Sequence, residues 1–166
     1  MILGWGTEDE TLTGIFRMLS AYISTSDGGI FASAFLGLFG MVLEGLAFFG
    51  IYRMTAPYSQ KYAHSLRTGI LGYLMFGVCG FHVPTCALVY LTKHGISEEL
   101  IMRFAAYFVL PGFVMFWIFF LILNVTQIKA FAKGMTPCPK LGWIFSLPVG
   151  MLIAMLPSVL GNLPLV

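Results

Sequence analysis

The stretch IFASAFLGLFGMVLEGLAFFGIY, Ile30–Tyr52, decides the fold, because it is apolar throughout and carries one ionisable group, Glu44. A bilayer's hydrocarbon core is roughly 30 Å thick and a helix rises about 1.5 Å per residue, so one crossing takes about 20 such residues. Lipid offers no hydrogen-bond partners, which restricts a spanning segment to a helix or a strand of a closed barrel. A continuous apolar run without in-out alternation selects the helix. Working outward, three further runs have the same character: Gly69–Leu91, Phe104–Ile128, and Leu141 to about Leu160. The expected fold is therefore all-α, a polytopic transmembrane helix bundle of about four spans, with residues 1–166 forming a single transmembrane domain.

Composition agrees with that reading. Hydrophobic residues make up 58% of the chain and charged residues only 10%, and the mean hydropathy is +0.90. A soluble chain of this length needs more polar surface than that. The net charge of +2 is small and its basic residues are dispersed, which excludes a nucleic-acid surface. Three cysteines, with Cys79 and Cys86 in an apolar run and Cys138 between prolines, do not make a disulfide framework. The opening Met1–Gly6 lacks the basic and apolar regions of a secretory signal.

Ahead of the first span, Thr7 and Glu10 form a capping-box pattern, and Leu12, Ile15, Phe16, Leu19, Tyr22 and Ile23 follow at helical spacing. This predicts an amphipathic helix over 7–24 lying in the membrane interface. Asp27-Gly28-Gly29 is expected to break it. Pro111-Gly112 predicts a kink in the third span, and Trp143 marks the entrance of the fourth.

Loop charges predict the orientation. Arg53, Lys61, Arg67, Lys129, Lys133 and Lys140 are six of the nine basic residues and fall in two segments free of acids, so those segments are expected to be cytoplasmic. The N-terminal helix and the loop with Lys93, Glu98, Glu99 and Arg103 then lie on the opposite side. An acidic amphipathic helix outside the cell without a signal, and an ending in apolar Gly161–Val166, lead to the expectation that the chain is a fragment of a protein with about six spans. An open reading frame with firm stops on both sides would exclude that.

Glu44 is the most informative residue, since an ionisable group near mid-span costs about 2.5 to 3.5 kcal/mol on insertion scales and needs a partner or a wet cavity. His82 is its natural partner: Glu44 lies about 21 Å down the first span and His82 about 14 Å down the second. Cys79 and Cys86 share a helix stripe with His82. Cys, His and Glu are all metal ligands, yet this spacing is not that of a structural zinc site, so no metal and no cofactor is expected. Glu44, His82, Cys79 and Cys86, with Asn162 near the end of the fourth span, form the candidate ligand-binding set. Each also has a packing reading, as a carboxyl bonded to a neighbouring helix or a small buried hydrophobe. Asn124 is equally open, and Gly37, Gly40, Gly77 and Gly80 read as close-approach points between helices. There is no serine hydrolase elbow, HExxH or paired-Asp motif, so no catalytic residue is assigned and an enzyme is not the leading expectation.

The stretches Gly45–Arg53, Gly80–Cys86 and Gly161–Val166, with the segment around Arg17, resemble a family of uncharacterised bacterial multi-pass membrane proteins. The resemblance implies about six spans, a bacterial inner-membrane location and no assignable activity, and it matches the family's histidine to His82. The expected function is that of an integral membrane protein with a small polar pocket around Glu44 and His82. The alternatives are a transport component or an assembly partner of other membrane helices. Its expected partners are the lipid bilayer and other helices, including further copies of the chain.

Overall fold

The computed structural model describes residues 8–153, and no strand occurs among them. The first helix, α1, spans Gly14–Ser20 and is shorter than the predicted 7–24. The reason is local. The Asp9 carboxylate accepts hydrogen bonds from both the backbone N–H and the hydroxyl of Thr11, at 2.9 and 2.6 Å. This side-chain turn competes with helix. It also holds the Asp9 carboxyl below the usual carboxylate range. The turn folds back on α1 through Asp9 N–H to the Ser20 hydroxyl, 2.8 Å, and Arg17 Nε to Glu8, 2.9 Å. Thr7, half of the predicted capping box, lies outside the described residues.

Among the described residues, three helices are long and apolar enough to cross a membrane: Asp27–Thr55, Gln60–Lys93 and Glu98–Ala132, of 29, 34 and 35 residues. At about 1.5 Å per residue each exceeds a core roughly 30 Å thick. The first is α2. The break expected after the N-terminal helix falls over 21–26, and Asp27-Gly28-Gly29 opens α2, where Ser26 Oγ accepts the Gly29 N–H at 3.0 Å as an N-cap. α2 ends at Thr55, and after a short turn the next helix starts at Gln60, where the Ser59 carbonyl accepts the Ala63 N–H. Lys61 and Arg67 therefore stand on a helix and not in a loop.

The second long helix comprises α3, Gln60–Met75, a π-helical segment, Phe76–His82, and α4, Val83–Lys93. The third comprises α5, Glu98–Phe104, a π-helical segment, Ala105–Val109, and α6, Leu110–Ala132. Both π segments close just before a proline: Val83 N–H bonds to Val78 O ahead of Pro84, and Leu110 N–H to Ala105 O ahead of Pro111. A helical proline has no N–H and its ring collides with the carbonyl four residues back. A wider turn with an extra residue relieves that collision. At Pro111, where a kink is expected, the helix carries this insertion.

Both long helices terminate alike. Gly95 and Gly134 take positive φ, 72° and 67°. Ile96 N–H bonds to Leu91 O and Met135 N–H to Ala130 O, which caps the last carbonyls in a conformation that suits glycine. After Pro139 a 3₁₀ helix covers Lys140–Phe145, and helix resumes over 147–153. Where a fourth span is predicted from Leu141, α-helix begins only at 147, and the stretch beyond 153 lies outside the described residues.

The chain forms two compact units, Met1–Leu46 with Leu71–Ile118, and Ala47–Ile70 with Phe119–Val166. In the first, Leu19 of α1 is buried with Ile30, Leu88, Val89 and Ile101, so α1 gives its apolar face to helices of its own chain. Gly80 and Gly112 touch backbone to backbone there. In the second, Gly69 abuts the Leu123 backbone, and Leu66, Ile70 and Ala130 are fully enclosed. Its buried polar side chains include Asn124 and Gln127, whose Oδ1 and Oε1 find no donor among the described residues. Elsewhere large apolar side chains face outward, Phe31 at 72% exposure and Tyr107 at 74%. Water would penalise that arrangement and lipid does not.

Candidate ligand pocket

The site lies within the first compact unit. On α2, Gly37, Gly40, Met41 and Glu44 share one face by their i, i+3, i+4, i+7 spacing. Opposite them, Tyr73 lies near the end of α3 and Gly77, Phe81 and His82 occupy the π-helical segment, with Phe116 on α6. These residues line a cavity of about 350 Å³.

Its polar groups are few and each is held. The Tyr73 hydroxyl donates to Glu44 Oε2 at 3.0 Å. His82 Nε2 lies 3.1 Å from the Ser33 carbonyl. A carbonyl can only accept, so that nitrogen carries the proton and a neutral ring keeps Nδ1 as an acceptor. Gly37 makes this reach possible, for a side chain there would occupy the space of the imidazole. The remaining wall is aromatic: Tyr73, Phe116 and Phe81 form a row with centroids 5.4 and 6.0 Å apart and ring planes inclined by 35° and 25°.

Glu44 and His82 therefore line the same cavity without bonding to each other, and the partner of Glu44 is Tyr73. Cys86 lines a second, more apolar cavity of about 270 Å³ with His82, Phe81, Ser33 and Leu19. Cys79 is exposed and lines neither. The π-helical segment explains the separation of the two cysteines, since an inserted residue rotates the helix on its N-terminal side relative to the helix on its C-terminal side. Asn162 lies outside the described residues. Sequence reasoning missed Tyr73, Phe81 and Phe116. The one available signal was the Tyr73 hydroxyl, a polar group four residues before Gly77 on an otherwise apolar run.

The charge balance of this unit is uneven. Its lysine and arginines are all paired: Arg17 with Glu8, Lys93 with Asp27, Arg103 with Glu99, at 2.9, 2.6 and 2.6 Å. His94 adds a contact to Asp27 at 3.2 Å. Glu44 has no basic partner among the described residues. Nor do three His, Cys, Asp or Glu side chains gather among them as a metal-ligand set.

Compared with known proteins, the chain matches along residues 1–166 a family of unknown function, DUF6796. No curated protein and no solved structure matches it.

Proposed function

The chain belongs to that family, and we propose that it is a multi-pass integral membrane protein of the bacterial inner membrane whose pocket around Glu44 and His82 binds a small ligand. The membrane part of the reading is supported by the three helices among the described residues that are long and apolar enough to span a bilayer and by outward-facing phenylalanines. The bacterial inner membrane is supported by the resemblance of Gly45–Arg53 and Gly80–Cys86 to bacterial multi-pass proteins. Residues 141–160 are read as a fourth span, and the acid-free basic segments as cytoplasmic.

One observation carries the binding reading: two ionisable side chains from different helices line a single cavity within a membrane-spanning region. Such groups are expensive in lipid and by default mark a functional site. A few polar groups in a largely apolar cavity are also the usual make-up of a small-molecule site. A second reading, a component of a transport path, is favoured by Phe81 and His82 lining both cavities. Movement of the imidazole would then join the two spaces. No reaction is assigned.

Native mass spectrometry of the detergent-purified protein, wild type beside the Glu44→Gln, His82→Ala double variant, tests the proposal. A small molecule retained by the wild type and lost from an equally helical variant is the expected result. Wild type carrying only non-specific lipid would overturn the pocket and favour the role of an assembly partner for other membrane helices or further copies of the chain.

A further inference from the structure

We infer that the ligand of this pocket is an organic ammonium ion, a protonated or quaternary amine held by Glu44 against the aromatic row of Tyr73, Phe116 and Phe81. The inference rests on the pocket reading above and names its ligand class.

Three observations converge. First, Glu44 lacks a cation. Every lysine and arginine of its compact unit is spent on another acid, and its one hydrogen bond comes from the neutral Tyr73 hydroxyl to Oε2. A carboxylate without a countercharge in a low-dielectric surrounding is costly, and a cationic ligand supplies the countercharge. Second, the wall beside Glu44 is three aromatic rings. Aromatic rings attract cations through their quadrupole, and an aromatic wall also takes the carbon substituents of an ammonium group. Third, the side-chain donor set is poor in the oxygen ligands a hard inorganic cation takes. Calcium or magnesium takes six or more oxygen ligands, whereas the polar side chains lining this cavity are one carboxyl, one hydroxyl and one imidazole, whose Nε2 is held by the Ser33 carbonyl. An alkylated ammonium needs no such shell, and its carbon substituents suit the glycine and methionine lining. The cavity of about 350 Å³ falls in the range of small-ligand sites.

The ammonium group could come from a free small amine or from a phospholipid headgroup. The test uses calorimetric titration of the full chain in non-ionic maltoside micelles with choline and with 3,3-dimethylbutan-1-ol, its neutral carbon isostere. Choline is expected to bind at least tenfold more tightly than the isostere, with Glu44→Gln removing that preference and leaving isostere binding. Phe116→Leu is expected to weaken choline severalfold more than the isostere, and it serves as the second probe if Glu44→Gln does not fold. Displacement of choline by lysophosphatidylethanolamine identifies the headgroup as the source, and its failure identifies a free amine. Equal binding of choline and isostere would overturn the ammonium inference while the pocket stands. Absence of both, with a ligand still retained in native mass spectrometry, would do the same. Absence of both with no retained ligand would remove the pocket as well.

Discussion

The imidazole of His82 fills the space that a side chain on Gly37 would require, and from there Nε2 reaches the Ser33 carbonyl at 3.1 Å. Gly37→Ala is therefore expected to expel the ring, break that bond and lower stability by about 1–3 kcal/mol, the usual cost of overpacking. Gly40→Ala, one turn away with open space around it, is expected to be neutral. Thermal unfolding of both variants in detergent compares them, and equal stability would show that His82 is not held by this contact.

Gly80 and Gly112 meet through backbone atoms. A methyl on Gly112 would collide with the Gly80 carbonyl, and no rotamer change can move a backbone. Pro84 also denies that carbonyl its ordinary helical donor four residues on, so it is already a special position. Gly112→Ala is expected to cost about 3 kcal/mol or more, beyond the normal range for overpacking. Gly37→Ala should cost less, because a side chain can yield. The ranking is read from unfolding midpoints, and a stable Gly112→Ala protein would contradict the close approach.

Tyr73 and Glu44 form the hydrogen-bonded side-chain pair of the pocket. Interhelical polar contacts in membranes average about 0.6 kcal/mol and reach about 1.7 in double-mutant cycles. The cycle Tyr73→Phe, Glu44→Leu, in which each single change removes the bond, is expected to give a coupling in that range, near its upper end because the acceptor is a carboxyl. A coupling of zero would mean that the two groups do not meet.

Asp27 gathers Lys93 Nζ at 2.6 Å and His94 Nε2 at 3.2 Å, and Lys93 also donates to the Thr25 carbonyl at 2.8 Å. Asp27 is solvent-exposed, and ion pairs in water contribute little because solvent and salt screen them. Asp27→Asn is expected to lower the unfolding midpoint only slightly, with the difference from wild type shrinking as salt rises. A large, salt-independent loss would assign Asp27 another role.

The Asp9 carboxyl is held below its ordinary value by the two bonds from Thr11. A depressed carboxyl pKa contributes stability above the unfolded value, about 3.9, and loses it as pH falls through the lowered one. Local order around α1 should therefore persist into acid. Carbonyl chemical-shift titration of Asp9 is expected to show a midpoint under about 3.9 that Thr11→Ala brings back up. An unchanged midpoint would remove the turn.

The order of residues alone carries the element type and the argument for a lipid solvent. Apolar runs as long as Ile30–Tyr52 and Phe104–Ile128 leave lipid and helix as the only compatible pair, because an unbonded backbone is intolerable there. Glu44 and His82 were legible for the same reason, each being an ionisable group where such groups are costly. Helix ends were less legible, since the Asp9 turn and the Ser26 cap depend on single local hydrogen bonds. The partners came only with packing: Tyr73 for Glu44, Ser33 for His82, and separate surroundings for Cys79 and Cys86. In lipid the faces toward neighbours and toward solvent have the same apolar character, so periodicity does not reveal how one helix is rotated against the next. That rotation is set by the approaches of Gly37 to His82 and Gly80 to Gly112 and by the π-helical insertion, and these exist only once the helices pack.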